Sequence, residues 1–289
     1  ICSDRPVPAL QPRRERMNKA MEWLRDHDAV RAHFRTHQIE RRMESTGFAR
    51  ITGFLPPDVA AAASTMLAEQ EGWEDMDDSE VADRSDSVSH SFKFAEPEDH
   101  PTTIGALADA VALLFEDLVP SFSVARYGRG DCIAPHDDKG HFDIEPKCGG
   151  LTVLHSRKVA GILYLSKGWK AKFGGALLDL EARAEHVPSF NTFIAFNVPR
   201  MHAVAPVLVD GRPRLSLFGW WLQSGKLYEL DGDAQVEYAD LPEVDHADAP
   251  EAVAPRGKGR RAAQQKQKQK QQQQQSRGLK KKRSSGKRR

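Results

Sequence analysis

A histidine and an aspartate one residue apart, His136 and Asp138 in Ala134-Pro-His-Asp-Asp138, are the clearest candidates for chemistry in this chain. On an extended strand, residues i and i+2 leave from the same face, so these two can grip one ion while Asp137 points away. A third ligand must come from a strand distant in sequence but adjacent in space. His202, in Arg200-Met-His-Ala-Val204, opens such a strand. Two imidazoles and a carboxylate leave about three of six octahedral positions open, the donor set suited to non-haem Fe(II). Two of those positions accept a bidentate 2-oxo acid and the third accepts O2. With 11 histidines in the chain, an HxD pair alone is a weak signal, and its weight depends on a cosubstrate anchor further along the chain.

Such an anchor is a cation for the far end of the acid. In Arg212-Pro-Arg-Leu-Ser-Leu-Phe-Gly-Trp-Trp221, Arg214 and Ser216 share one strand face. A guanidinium can pair with a distal carboxylate through two parallel hydrogen bonds, and the hydroxyl can support the same group. Arg212 has the same parity and is the fallback, although Pro213 sets it at the strand's start.

These residues need rigid elements behind them. From Phe122 to Gln223, short apolar runs at 122–127, 131–136, 159–166, 175–180, 191–197, 202–208 and 213–222 are separated by Gly, Pro, Asp and Asn. That texture predicts an antiparallel sandwich, a double-stranded β-helix or jelly roll, rather than alternating β and α units. Ahead of it lie one or two amphipathic helices between Arg13 and Glu44, a strand over 48–54, an Ala-rich helix from Pro57 to about Gln70 and a helix from Ile104 to about Leu118. The fold class is therefore mainly β with flanking helices (α+β), the N-terminal helices buttressing one sheet. Residues 71–89 are acidic and read as a loop.

Composition divides the chain further. Fifteen of the 42 Lys/Arg fall in 256–289, which has no Asp or Glu, so 1–255 carries 27 basic against 41 acidic residues, a net of −14. The expected organisation is a charged helical segment over 1–44, a catalytic domain over 45–228, an acidic linker over 229–255 and a disordered Lys/Arg/Gln-rich tail over 256–289. The tail suits non-specific nucleic-acid contact or nuclear targeting, and localisation is expected to be nuclear or cytoplasmic. Cys2, Cys132 and Cys148 have no short CxxC spacing, which fits a reducing compartment. No apolar run approaches the length of a membrane span, and the first residues carry no apolar signal-peptide core.

Taken in order, Tyr127-Gly-Arg-Gly-Asp-Cys-Ile-Ala-Pro-His-Asp-Asp138, Arg157-Lys-Val-Ala-Gly-Ile-Leu-Tyr-Leu-Ser166 with Trp169, Phe173-Gly-Gly-Ala-Leu177, Met201-His-Ala-Val-Ala-Pro206 and Arg214-Leu-Ser-Leu-Phe-Gly-Trp220 resemble the prolyl 4-hydroxylase superfamily over roughly 120–223. Within it the segment is most similar to the ribosomal prolyl hydroxylases. The resemblance implies Fe(II), 2-oxoglutarate and O2, ascorbate as reductant, a protein substrate, and Tyr127 and Tyr164 as 2-oxoglutarate contacts beside Arg214 and Ser216. It also implies oxidation of a prolyl residue, in a ribosomal protein, with succinate and CO2 as co-products; the charge pattern extends the expected partner to a basic ribosomal or nuclear protein. Two departures stand out: that group carries a second sandwich domain where this chain runs into linker and tail, and residues 140–155 form a Gly-, Cys- and His-containing stretch. Residues 71–89 and 139–156 are expected at the site's mouth, where an acidic rim suits a basic partner. Nucleic-acid demethylases of the AlkB type carry a second arginine six residues after the anchor, where Trp220 stands here. Hydroxylation of a free amino acid or other small molecule, and a non-catalytic metal-binding scaffold, are the remaining alternatives.

Overall fold

The computed structural model describes residues 13–76, 90–97, 104–146 and 150–230. The tail, nearly all of the linker, Cys2, Cys148 and most of the acidic 71–89 stretch lie outside the described residues. Three helices, not one or two, open the described chain: α1 (Arg13–Arg25), α2 (His27–Arg35) and α3 (Ile39–Thr46). The reason is local. Asp26 accepts a hydrogen bond from the Ala29 amide at 3.1 Å and restarts the helix, while Gln38, at φ 50°, interrupts it again. Gly47, at φ 65°, then closes α3 as a left-handed cap and turns the chain into β1 (Phe48–Thr52).

After α4 (Pro57–Ala68), β2 (Glu74–Met76) and β3 (Phe92–Ala95) form a short antiparallel pair that the acidic loop reading missed. Helix α5 (Ile104–Ala112) ends earlier than the sequence suggests. Next come β4 (Val119–Tyr127), β5 (Ile133–His136), β6 (His141–Ile144), β7 (Val153–Tyr164), β8 (Leu177–Asp179), β9 (Ala184–His186), β10 (Thr192–Asn197), β11 (His202–Val204) and β12 (Arg214–Ser224). The large sheet runs β1-β10-β7-β12-β4-β3-β2 with β6 added to β7, and the small one runs β5-β11-β8-β9. Every pairing is antiparallel, as the jelly-roll reading requires. The 139–156 stretch is not a plain loop, since β6 pairs there with the start of β7.

Strand alternation gives the large sheet two different faces. Its outer face, with Val124, Leu163, Phe193, Leu217 and Trp221, packs against helix residues such as Leu24, Phe34, Leu67 and Leu107 in one core. Trp221, whose register partner is Val159, seats fully because its indole lies over the diagonal neighbour Gly161, where a Cβ would be 2.7 Å from the ring. Its Nε1–H donates to the Ala112 carbonyl at 3.1 Å, fixing the end of α5 to the sheet. The helices thus buttress one face and leave the other to the small sheet.

That inner face does not close into a single core. It forms two apolar clusters, one around Phe92, Tyr127, Trp169 and Val204, the other around Ala160, Tyr164, Leu177 and Phe196. Arg214 contacts one ring from each cluster, so a polar seam separates them. Among the described residues, no helix is long and apolar enough to cross a membrane.

Candidate metal centre

The small sheet brings the two histidines together. Strands β11 and β5 pair with His202 directly opposite His136, and the ring centroids lie 4.1 Å apart. Asp138 joins them, with Oδ1 3.3 Å from His136 Nε2 and Oδ2 3.6 Å from His202 Nε2. One donor atom from each of the three lies within 4.8 Å of the others, and among the described residues this is the cluster able to hold a metal. Strand parity does not account for Asp138, however. β5 ends at His136, and Asp138 sits beyond it at φ 63°, a left-handed conformation in which Asp is among the better-tolerated residues. A turn, not a continued strand, swings the carboxylate back toward the imidazoles.

The ring tautomers are set from behind. His136 Nδ1 meets the Ala134 carbonyl at 2.8 Å and His202 Nδ1 meets the Arg200 carbonyl at 2.7 Å. A carbonyl only accepts, so both Nδ1 atoms donate and both Nε2 atoms face the cluster. Burial, and then the neighbouring His136, push His202 down to about 4, so its ring is neutral at physiological pH. Burial alone would raise the Asp138 carboxyl, but His202, His136 and Arg157 together outweigh it and hold it well below the usual carboxylate range. A neutral imidazole and an ionised carboxylate are the forms that ligate.

Arg214 lies on the inner face of β12, paired in register with Tyr127 of β4. It is 1% exposed, its guanidinium stands 4.3 Å from the Tyr127 ring centroid and 5.0 Å from that of Tyr164, and Nε and Nη1 have no hydrogen-bond partner among the described residues. No described carboxylate forms an ion pair with it. A buried cation so placed calls for an anion, and a planar dicarboxylate end fits its fork. Ser216 is buried one register step along, opposite Tyr164. Burial pushes the Tyr127 phenol up to about 12 and raises that of Tyr164, so both stay neutral beside the cation. Arg212, the fallback, is exposed and donates to the Lys167 carbonyl at 3.2 Å instead.

Three neighbours escaped the sequence reading. Thr192 of β10 pairs in register with Tyr164, is fully buried, and has a hydroxyl without a partner among the described residues. Its only sequence signal was one hydroxyl in an apolar strand. Arg157 of β7 lies 3.5 Å over the Trp220 ring and donates to the Asp138 carbonyl at 3.3 Å. Arg200 forms a bidentate pair with the buried Asp179, at 3.1 and 2.7 Å, and donates to the Thr46 carbonyl, while its own amide donates to the Asp137 carbonyl at 3.2 Å. Asp179 is also the register partner of His202, so this pair braces the strand bearing the third ligand.

Residues 122–222 match the family model of the 2OG-Fe(II) oxygenase superfamily. The prolyl 3-hydroxylase OGFOD1 of Xenopus laevis is 33% identical over 111 residues, which are 34% of this chain and 19% of that protein. The Mus musculus OGFOD1 is 33% identical over 119 residues, 36% of this chain and 19% of that protein, so this chain spans about a fifth of the length of these curated relatives. Among solved structures, a Pseudomonas putida prolyl-4-hydroxylase aligns with a TM-score of 0.46 at 22% identity, covering 65% of this chain and 99% of that one. A Trichoplax adhaerens prolyl hydroxylase in complex with a hypoxia inducible factor peptide aligns with a TM-score of 0.48 at 18% identity, covering 66% of this chain and 90% of that one.

Proposed function

We propose that this chain, whose residues 122–222 match the family model of the 2OG-Fe(II) oxygenase superfamily, couples 2-oxoglutarate oxidation to hydroxylation of a prolyl residue in a protein. The observation that carries the cosubstrate assignment is Arg214: a fully buried guanidinium, two of its nitrogens unpartnered among the described residues, on the same inner face that meets the His136/Asp138/His202 cluster. His136, Asp138 and His202 would hold the ferrous ion, offering two imidazoles and one carboxylate. When bound there, the ion supplies the O2 activation that, with decarboxylation of 2-oxoglutarate to succinate and CO2, delivers one oxygen atom to a C–H bond. Arg214 binds the distal carboxylate. Ser216, Tyr164 and Thr192 line the same end as hydroxyl donors, and Tyr127 walls it with its ring. The two inner apolar clusters exclude water around this seam, which strengthens each of these polar contacts. The identity with the prolyl 3-hydroxylases supports proline as the residue oxidised, and the resemblance to ribosomal prolyl hydroxylases supports a basic ribosomal protein as its bearer. Ascorbate would be the reductant that such an iron site uses.

The test is mass spectrometry of proline-containing peptides incubated with protein, Fe(II) and 2-oxoglutarate. A gain of one oxygen on proline, with equimolar succinate, is expected. The Asp138→Ala variant should show neither. Oxidation of free amino acids but of no peptide would replace the protein-substrate reading, and succinate formation undiminished in Asp138→Ala would end the metal assignment.

A further inference from the structure

The segment C-terminal to β12 folds back across the β6–β7 hairpin, beyond the residues matched by the family model. Ser156, fully buried on β7, fastens it: its hydroxyl donates to the Gly225 carbonyl at 2.7 Å and accepts from the Leu227 amide at 3.1 Å. The Gly225 amide donates to the Leu154 carbonyl at 2.8 Å, and Gly225 itself turns at φ 96°. These bonds deliver Tyr228 to the turn that carries Asp138.

The hydroxyl of Tyr228 accepts from the Gly140 amide at 3.2 Å and donates to the Arg157 carbonyl at 2.9 Å, with the Gly140 carbonyl at 3.2 Å as a second acceptor. Its ring stacks on His141, centroids 5.4 Å apart and planes 16° from parallel. Gly140 stands two residues after Asp138, and its carbonyl also takes the Arg157 amide at 3.1 Å. The Arg157 side chain in turn reaches the Asp138 carbonyl. One phenol thus ties together the far end of the ligand turn and the strand whose arginine touches Asp138. That turn needs tying, because Asp138 holds a left-handed backbone angle beyond the end of β5.

Building on the iron-site reading, we infer that Tyr228 is a positioning residue for Asp138, setting the carboxylate's orientation toward the metal through Gly140 and Arg157. Groups behind a ligand commonly change metal affinity by about 10–100-fold when removed. Tyr228→Phe deletes the hydroxyl and keeps the stack on His141, so it isolates the proposed role. Gly140→Ala perturbs the same turn from its other side, since a Cβ there would sit 3.3 Å from both Arg157 Nε and Phe142.

The experiment is anaerobic titration with Co(II), read by its d–d absorption, on the wild type, Tyr228→Phe, Gly140→Ala and His136→Ala, with thermal unfolding alongside. Both turn variants should bind Co(II) about tenfold more weakly and with an altered absorption envelope, while remaining folded. His136→Ala should not bind at this site. Wild-type affinity and spectrum in Tyr228→Phe, with His136→Ala inactive in binding, would overturn the role of Tyr228 and leave the iron site standing. A lower melting temperature with unchanged affinity and spectrum in both turn variants would also overturn it, assigning the strap to stability alone. If His136→Ala bound like the wild type, the iron-site reading itself would fall and take this inference with it.

Discussion

Replacing Arg214 by methionine should make the ligand-free protein more stable while destroying its response to cosubstrate. The side chain is buried, with Nε and Nη1 lacking partners among the described residues. Each unpaired buried donor costs about 1–3 kcal/mol. Contact with the Tyr127 and Tyr164 rings, at 4.3 and 5.0 Å from the guanidinium carbon, returns part of that. Such contacts contribute about 0.5–2 kcal/mol each. Methionine keeps the apolar length and fills much of the volume, so a small cavity penalty remains. The net expectation is a gain of about 1–3 kcal/mol, or on the order of 5 °C in Tm for a domain of this size. In the wild type, 2-oxoglutarate with Co(II) at about a hundred times its Kd should add about 2.7 kcal/mol. In Arg214→Met that increment should vanish. Thermal unfolding followed by circular dichroism, with and without cosubstrate, measures both. A variant less stable than the wild type, or one still stabilised by 2-oxoglutarate, would refute the view that Arg214 is held unpaired for an incoming carboxylate.

Breaking the bidentate Arg200–Asp179 pair by Arg200→Met should cost about 3–5 kcal/mol in urea unfolding, because Asp179 is left buried and uncompensated. The double variant Arg200→Met/Asp179→Leu should regain most of that loss; failure to regain it would show that the lost side-chain bond to the Thr46 carbonyl, not charge burial, dominates. Alkaline pH tests the buried phenols. Because the folded-state pKa of Tyr127 is raised to about 12, above the ordinary value of about 10, the unfolded chain loses its proton first and stability should fall as pH climbs between the two. Tyr127→Phe should flatten that decline in denaturation curves taken at pH 9 to 12, and an unchanged slope would mean that the phenol is not sequestered.

How much of the fold and the site is legible in the sequence depends on whether the signal is local. Strand runs and the order Tyr127, His136, Asp138, His202, Arg214 are one-dimensional patterns, and the jelly-roll architecture emerges from them. The pairing that places Thr192 beside Tyr164 and Asp179 beside His202 is non-local, set by register between strands far apart in sequence, and no spacing announces it. Short strands such as β2, β6 and β9 carry too few residues to display alternation. Asp138 is the instructive case: strand parity singles out the correct residue, yet a left-handed turn is what brings it to the imidazoles.

The small sheet is built from strands of only three or four residues, and its central strand β11 carries His202 opposite His136. Strands so short gain little from their own ladder, and closing the long chain segment between those two histidines costs configurational entropy. An ion gripped by both residues would act as a cross-link at the point where that closure is made. Its binding free energy and the cohesion of the sheet are then one quantity measured in two ways. Tighter metal binding in such a fold would go with a stiffer small sheet over the polar seam, and loosening the β11 ladder beyond His202 would raise the metal's dissociation constant without touching a ligand.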